Sequence, residues 1–287
     1  MSELRTGRRT FITLGAVAAA TARMVGAQTA TPFPAPGFQR ARKLRLGVAS
    51  YSLRKFTLDQ ALDMCREMGA SCITLKDMHL PRTDSADALV AARRKIEAAG
   101  ITLMGGGVIY MKNDEAQVRK DFEYARTAGF PTIVASPDPD ALDLVERMIK
   151  EFGIPVAIHN HGPEDKFYPA PQDVLRVIAN RDKRLGICMD LGHAARTGID
   201  PVQAIFDCKS RILDVHVKDL ADSKDKDSQT EVGKGALDIA GFFAALVKID
   251  FAGHVALEYE INADNPLPGM KESFSYMRGV LDGFGRA

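Results

Sequence analysis

Apolar runs recur along the chain near residues 44–50, 71–76, 101–110, 131–136, 154–160, 185–191, 212–218 and 254–260. Stretches with helical spacing of apolar residues fill the gaps, so the pattern predicts eight strands alternating with helices. One helix is marked at both ends: Thr57 with Gln60 three residues on forms a capping-box signature, and Gly69 suits a C-terminal stop. Leu58, Leu62, Cys65 and Met68 supply its apolar face. A second helix is expected from Asp140 through Leu142, Val145, Ile149 and Phe152 to Gly153. Eight such units with parallel strands predict an α/β fold, a (β/α)8 TIM barrel, over an open doubly wound sheet. The open sheet would usually carry a glycine-rich phosphate turn after its first strand. Gly105-Gly106-Gly107 falls inside the third run and lacks that spacing, so it reads as close backbone packing at the barrel mouth, with a substrate contact as the lesser alternative.

Barrel sites lie at the C-terminal ends of the strands, and there the second half of the chain places its polar groups. Four runs end in Ala157-Ile158-His159-Asn160-His161, Cys188-Met189-Asp190-Leu191-Gly192-His193, Asp214-Val215-His216-Val217-Lys218-Asp219 and Ala256-Leu257-Glu258-Tyr259-Glu260. Any one could be a buried polar residue at a strand terminus, but four together point to one ion held by several strand ends. Imidazole and carboxylate donors suit manganese, zinc, iron or cobalt. Strand alternation puts His159 on the face of Ala157, Asp190 on that of Cys188 and Glu258 on that of Ala256, each one layer above a small inward residue. His216 and Lys218 share the inward direction, while Val215 and Val217 face the helices. Lys76 ends the second run on the inward side of Cys72 and Thr74 and is a candidate for binding substrate, with a solvent-exposed loop lysine as the equal alternative. His79, Glu164 and Asp165 fall on loops, where ordinary surface roles are expected.

Composition bounds the function. A chain of 287 residues with 46% hydrophobic content can bury a large core, and a formal charge of +1 argues against nucleic acid as a partner. Arg8 and Arg9 precede an uncharged stretch, Phe11 to Ala22, which is too short to span a bilayer, and Val25-Gly26-Ala27 offers small residues to a peptidase. Residues 1–27 therefore resemble a twin-arginine export signal, which implies the twin-arginine machinery as a partner, a periplasmic or otherwise exported address, and no stable membrane span. The competing reading is a basic N-terminal arm. Removal of residues 1–27 would take away Arg5, Arg8, Arg9, Arg23 and Glu3, leaving 34 basic against 36 acidic side chains. Pro32, Pro34, Pro36 and Gly37 make residues 28–42 a stiff linker, and residues 43–287 are expected to form the barrel. Cys65, Cys72, Cys188 and Cys208 lack zinc-ribbon pairing and read as buried thiols, with a Cys65 to Cys72 bridge the less favoured alternative.

Over roughly residues 43–285 the chain resembles the xylose-isomerase-like TIM-barrel superfamily of sugar isomerases and epimerases. The resemblance rests on Asp190-Leu191-Gly192-His193, His216-Val217-Lys218-Asp219 and Gly253 to Glu258. It implies a divalent metal, manganese first with zinc, iron, cobalt or magnesium as alternatives. Epimerases of the group hold it by a Glu after strand five, an Asp after strand six, a His after strand seven and a Glu after strand eight. Asp190, His216 and Glu258 match the last three, and His193 matches the histidine near the substrate.

The departure is at strand five, where His159 stands in place of the Glu. Two opposed carboxylates let an epimerase remove a proton on one face and return it on the other. Here only Glu258 remains of that pair, and a metal-bound imidazole has already donated its lone pair. Two imidazoles and two carboxylates would leave an M²⁺ site neutral and a better Lewis acid, able to stabilise an enediolate. His161, Lys76 and Lys218 are the candidates for handling the second proton. The expected function is a metal-dependent isomerase or epimerase acting on an unphosphorylated sugar or keto-sugar, with a lyase on 3-keto-glycosides as the alternative. An abasic-site endonuclease from the same superfamily would need more His and Glu ligands, for three zincs, and a basic surface. A non-catalytic carbohydrate-binding barrel is the reading outside the enzymes.

Overall fold

The computed structural model describes residues 44–284. The export signal and the proline-rich linker expected from sequence lie outside the described residues, as do Lys43 and the last three residues of the expected barrel domain.

Eight strands form where the apolar runs predict them: β1 Arg45–Ala49, β2 Cys72–Leu75, β3 Thr102–Met111, β4 Ile133–Pro137, β5 Val156–His159, β6 Leu185–Asp190, β7 Ile212–Val217 and β8 His254–Leu257. Each pairs in parallel with its neighbours, and β1 pairs with both β2 and β8, closing the barrel. The helices are α1 Leu58–Met68, α2 Ala86–Ala98, α3 Glu115–Ala128, α4 Leu142–Phe152, α5 Pro171–Ile178, α6 Leu191–Arg196, α7 Pro201–Cys208, α8 Ile239–Lys248 and α9 Leu267–Gly283. The chain thus builds the (β/α)8 TIM barrel, with the short α6 added after β6.

Local chemistry accounts for the helix ends. Gln60 N–H donates to Thr57 Oγ1 at 3.3 Å and Thr57 N–H donates to Gln60 Oε1 at 2.9 Å, which completes the capping box of α1. Gly69 closes that helix in the left-handed conformation, at φ 71°. At α4 the structure departs slightly from expectation, because Asp140 lies in a separate 3-10 turn, Pro139–Ala141, before the α-helix begins.

Two hydrophobic layers follow from strand alternation. Outward residues such as Ile158, Ile187, Val215 and Leu257 pack with the helices in the main core. The barrel interior holds a smaller cluster of Val134, Ala157 and Cys188, against which Val108 and Leu213 pack. The glycine run in β3 serves close packing, as its sequence context implied: a Cβ on Gly106 would fall 1.8 Å from the Phe130 ring, and one on Gly107 1.9 Å from the Val134 carbonyl oxygen. All four cysteines are buried and unbridged.

Between β7 and α8 the chain makes an excursion carrying a two-stranded antiparallel ribbon, Asp219–Leu220 with Gln229–Thr230. Asp219, the last residue of the β7 motif, organises this excursion. Its buried carboxylate accepts N–H groups from Leu220, Gly233, Gly235 and Leu237 at 2.9–3.3 Å. Among the described residues no helix is long and apolar enough to cross a membrane.

Candidate metal centre

The ends of β5, β6, β7 and β8 deliver His159, Asp190, His216 and Glu258 to one place. One ligand atom from each lies within 4.8 Å of all the others, and all four residues are buried. Register explains the convergence: Asp190 is level with His216, which is level with Ala256, and Glu258 stands one inward step above Ala256. His159 Nε2 lies 3.1 Å from His216 Nδ1, 3.7 Å from Asp190 Oδ2 and 4.0 Å from Glu258 Oε2. His216 Nδ1 lies 3.3 Å from Glu258 Oε2. Donors roughly 2.1 Å from a shared ion stand about 3 to 3.5 Å apart, so the shorter separations already have coordination spacing.

His159, Cys188 and His216 form a second convergent set. It is the poorer one, because burial and the charges of Asp214, Asp190 and Glu258 hold the Cys188 thiol well above its usual range and keep it protonated. The carboxylate-bearing set offers charge as well as lone pairs. A divalent ion therefore fits His159, Asp190, His216 and Glu258 best.

Neighbouring groups are arranged tightly around this set. Lys218 Nζ lies 3.3 Å from Asp190 Oδ2 and 3.1 Å from Glu258 Oε2, and it also pairs with Glu260. Burial alone would discharge it, but these three carboxylates outweigh burial and raise its pKa, so Lys218 keeps its charge and is a hydrogen-bond donor and not a base. Burial pushes the Glu258 carboxyl up, yet Lys218 and His216 together hold it well below the usual carboxylate range. Asp190 moves the other way, raised by burial and by Glu258 despite Lys218. Burial also lowers His159 far below the usual imidazole value, with His161 and His216 adding to the effect. His216 differs: burial lowers it, but Glu258 outweighs this with help from Asp214 and Asp190, bringing the pKa up to about 9.

A cavity of about 400 Å³ opens beside this floor. His161, His193 and Lys218 line it. His161 Nδ1 lies 3.1 Å from Asp165 Oδ2, and its ring packs 4.4 Å from that of His159. His193 donates its backbone N–H to Asp190 Oδ1 at 2.8 Å, while burial and the Lys218 charge lower its ring to about 3 and leave it neutral. Three cations of the lining, Arg196, Lys218 and Lys226, are matched by three anions, Glu164, Glu260 and Asp227. Arg196 pairs directly with Glu164.

Some expectations change. Lys76 is not among the side chains lining this cavity; its ammonium sits 4.3 Å from the centre of the Tyr51 ring. His79, expected at the surface, is buried because its ring nitrogens lie 3.1 Å from Ser50 Oγ and 3.2 Å from the Leu53 carbonyl oxygen. Asp165 is only half-exposed: burial pushes its carboxyl up, but His161 and the N–H groups of Tyr168 and Phe167 bring it down to about 2. Glu164 is exposed as expected, yet it borders the cavity.

Sequence reasoning passed over Asn160 and Gln229. Asn160 Nδ2 donates to the Asp190 carbonyl at 3.1 Å and its Oδ1 accepts the Asp190 N–H at 2.9 Å, locking β5 to β6 at the ligands. Gln229 does the same for β8, donating to the Glu258 carbonyl and accepting the Glu260 N–H, both at 2.7 Å. Asn160 sat within a quoted motif and could have been found as a buried amide between two ligand-bearing positions. Gln229 carries no local signal, because its contact depends on the ribbon.

Residues 54–280 match the family described as the xylose isomerase-like TIM barrel. The chain belongs to this family. Over 141 residues this xylose isomerase-like barrel is 29% identical to the rhizopine catabolism protein MocC of Rhizobium meliloti, covering 44% of the chain and 42% of that protein. It is 27% identical over 137 residues to the inosose dehydratase of Geobacillus kaustophilus, covering 42% of the chain and 44% of that protein. The matches span less than half the length of these curated relatives. The IolI protein with a bound zinc atom superimposes with a TM-score of 0.70 at 17% identity, covering 84% of this chain and 99% of IolI. The 3-keto-D-glucoside 4-epimerase YcjR of E. coli gives 0.67 at 18%, covering 82% and 99%. At these identities the structural likeness is one of fold.

Proposed function

We propose that this chain is a metal-dependent enzyme that removes the proton next to a carbonyl in an unphosphorylated sugar or keto-sugar, giving an enediolate that goes on to isomerised or epimerised product. The observation that carries the reading is the convergence of His159, Asp190, His216 and Glu258 within 4.8 Å at the mouth of the barrel. A divalent ion held by these four supplies Lewis acidity toward a substrate oxygen. Everything else falls to the chain's own groups. Glu258 is the carboxylate placed to take the substrate proton. Lys218 flanks the floor and can donate hydrogen bonds to developing negative charge, and His193 Nε2, 3.3 Å from its ammonium, accepts from it and steadies it. Asn160 and Gln229 keep the ligand-bearing strand ends from moving apart.

The cavity supports a neutral polyhydroxylated substrate, since its three cations are matched by three anions and none is left over for a phosphate. The arginine pair at Arg8 and Arg9 supports an exported protein, a setting in which unphosphorylated sugars are the expected substrates.

Replacement of the strand-five carboxylate by His159 favours a second outcome, elimination of a leaving group from the same enediolate. A relative named as an inosose dehydratase and a structural neighbour named as a 3-keto-D-glucoside 4-epimerase illustrate the two fates on this fold. The test is to incubate metal-loaded enzyme with unphosphorylated keto-sugars and 3-keto-glycosides and read the products by NMR. Turnover should vanish on chelation and return with Mn²⁺, and the His159→Ala and His216→Ala variants should lose bound metal. Full metal occupancy in both variants, or turnover that survives chelation, would refute the reading.

A further inference from the structure

Directly beneath the four ligand residues, the barrel interior carries a polar layer that the reaction scheme leaves unused. Asp214 is 2% exposed. Its Oδ1 accepts the Val215 N–H at 2.7 Å and lies 3.2 Å from His254 Nε2, which in turn is 2.9 Å from Thr74 Oγ1. His254 and Thr74 are also 2% exposed. A carboxylate cannot donate, so His254 Nε2 carries the hydrogen and offers it to Asp214. The other oxygen, Oδ2, lies 4.0 Å from His216 Nε2. That nitrogen is buried without a hydrogen-bond partner among the described residues, while Nδ1 of the same ring faces His159 and Glu258.

An anion in the core of a barrel is costly unless opposite charge compensates it. His254 and Thr74 give Asp214 a hydrogen-bonded setting but no net charge. Arg45 acts on this layer from the start of β1, and on the side of the ligands the group that can bring positive charge is the His216 ring, either by its own proton or through an ion on Nδ1. A separation of 4.0 Å is an ion-pair distance and not a hydrogen bond, so the carboxylate acts through its field, which is strong in buried surroundings.

We propose that Asp214 is a positioning residue for the metal centre. Its charge keeps the hydrogen of His216 on Nε2, which leaves the Nδ1 lone pair aimed at the ligand cluster, and His254 and Thr74 hold the carboxylate in the core for that purpose. Metal-ligating histidines generally donate their second N–H to a carboxylate or carbonyl; here the carboxylate stands 4.0 Å off and acts through its field. The inference rests on the metal reading of the site and adds a tautomer and a second layer to it.

The experiment compares wild-type protein with Asp214→Asn, which preserves shape and removes the charge. Mn²⁺ affinity is measured by competition with a chelator, and the melting temperature is taken on metal-free protein. Affinity should fall about 10- to 100-fold. The metal-free melting temperature should stay level or rise, because a buried charge has been removed. A residue that merely supported the fold would instead lower the metal-free melting temperature, and that result would overturn the proposal. The His216 tautomer in Zn²⁺-loaded wild type, read by ¹⁵N NMR of the histidines, needs no substitution: a hydrogen on Nε2 is expected, and zinc bonded to Nε2 would overturn the proposal. If wild type binds metal and Asp214→Asn binds it as tightly, this inference fails alone. If wild type takes up no metal, the underlying reading fails as well.

Discussion

His216 is the residue on which the chemistry of the floor turns, because the same carboxylates that would share an ion with it also hold a proton on it. Its pKa in the metal-free protein is up at about 9, where the charges of Glu258, Asp214 and Asp190 outweigh burial. His159, only 3.1 Å away, is held neutral. The sign of the pH effect follows. Below about 9 the proton on His216 competes with the metal, so affinity should climb about tenfold per pH unit from 6 to 9 and then level off. His159 adds no competing proton. At pH 7 binding should release about one proton, as read by chelator competition at several pH values and by calorimetry in buffers of different ionisation enthalpy. An affinity already flat above pH 6, the behaviour of an unperturbed imidazole, would show that the carboxylates do not act on His216 as described. This shift is not legible in sequence, because strand alternation shows which way a side chain points but not the charges it meets.

Strands and loops differ in how much of them could be read from sequence. The eight strands and the ends of α1 were legible because burial on the sheet and capping are local, periodic demands on residue type. The inward direction of His159, Asp190, His216 and Glu258 followed from the same alternation. What was not legible comes from long-range folding of loops: His79 tucked under the 3-10 turn Ser50–Leu53, Gln229 laid against β8, and Asp219 gathering the backbone of the excursion after β7. Asp219 deserves its own test at this scale, since one carboxylate gathers four N–H groups of the excursion whose residues Lys226, Asp227 and Gln229 wall the cavity. Asp219→Ala should leave the barrel's circular dichroism intact while limited proteolysis within residues 221–237 speeds up at least about tenfold, the equivalent of losing about 1.4 kcal/mol of local stability. Unchanged cleavage would mean that the ribbon is held by other contacts.

For the molecule as a whole, the proposed reading takes the available chemistry from the barrel and its direction from His159 at the end of β5. Residues 54–280 carry the family's sequence pattern, and the closed parallel sheet brings four strand ends within coordinating distance of one another. Family membership alone leaves epimerisation, isomerisation and elimination all open. In the proposed reading His159 narrows them, because β5 offers no second carboxylate to face Glu258, and the groups proposed to return a proton from elsewhere are His161, beside Asp165, and Lys218, paired with Glu260. Deprotonation should therefore persist while delivery to the opposite face becomes inefficient. The most direct measurement is the fate of the alpha hydrogen of a keto-sugar substrate in D₂O, followed by NMR with metal-loaded enzyme. Exchange for deuterium should outpace inversion, and Glu258→Gln should slow the exchange by at least about a hundredfold. Inversion at every exchange event would contradict the account and restore a two-base epimerase, and full exchange in Glu258→Gln would remove Glu258 as the base.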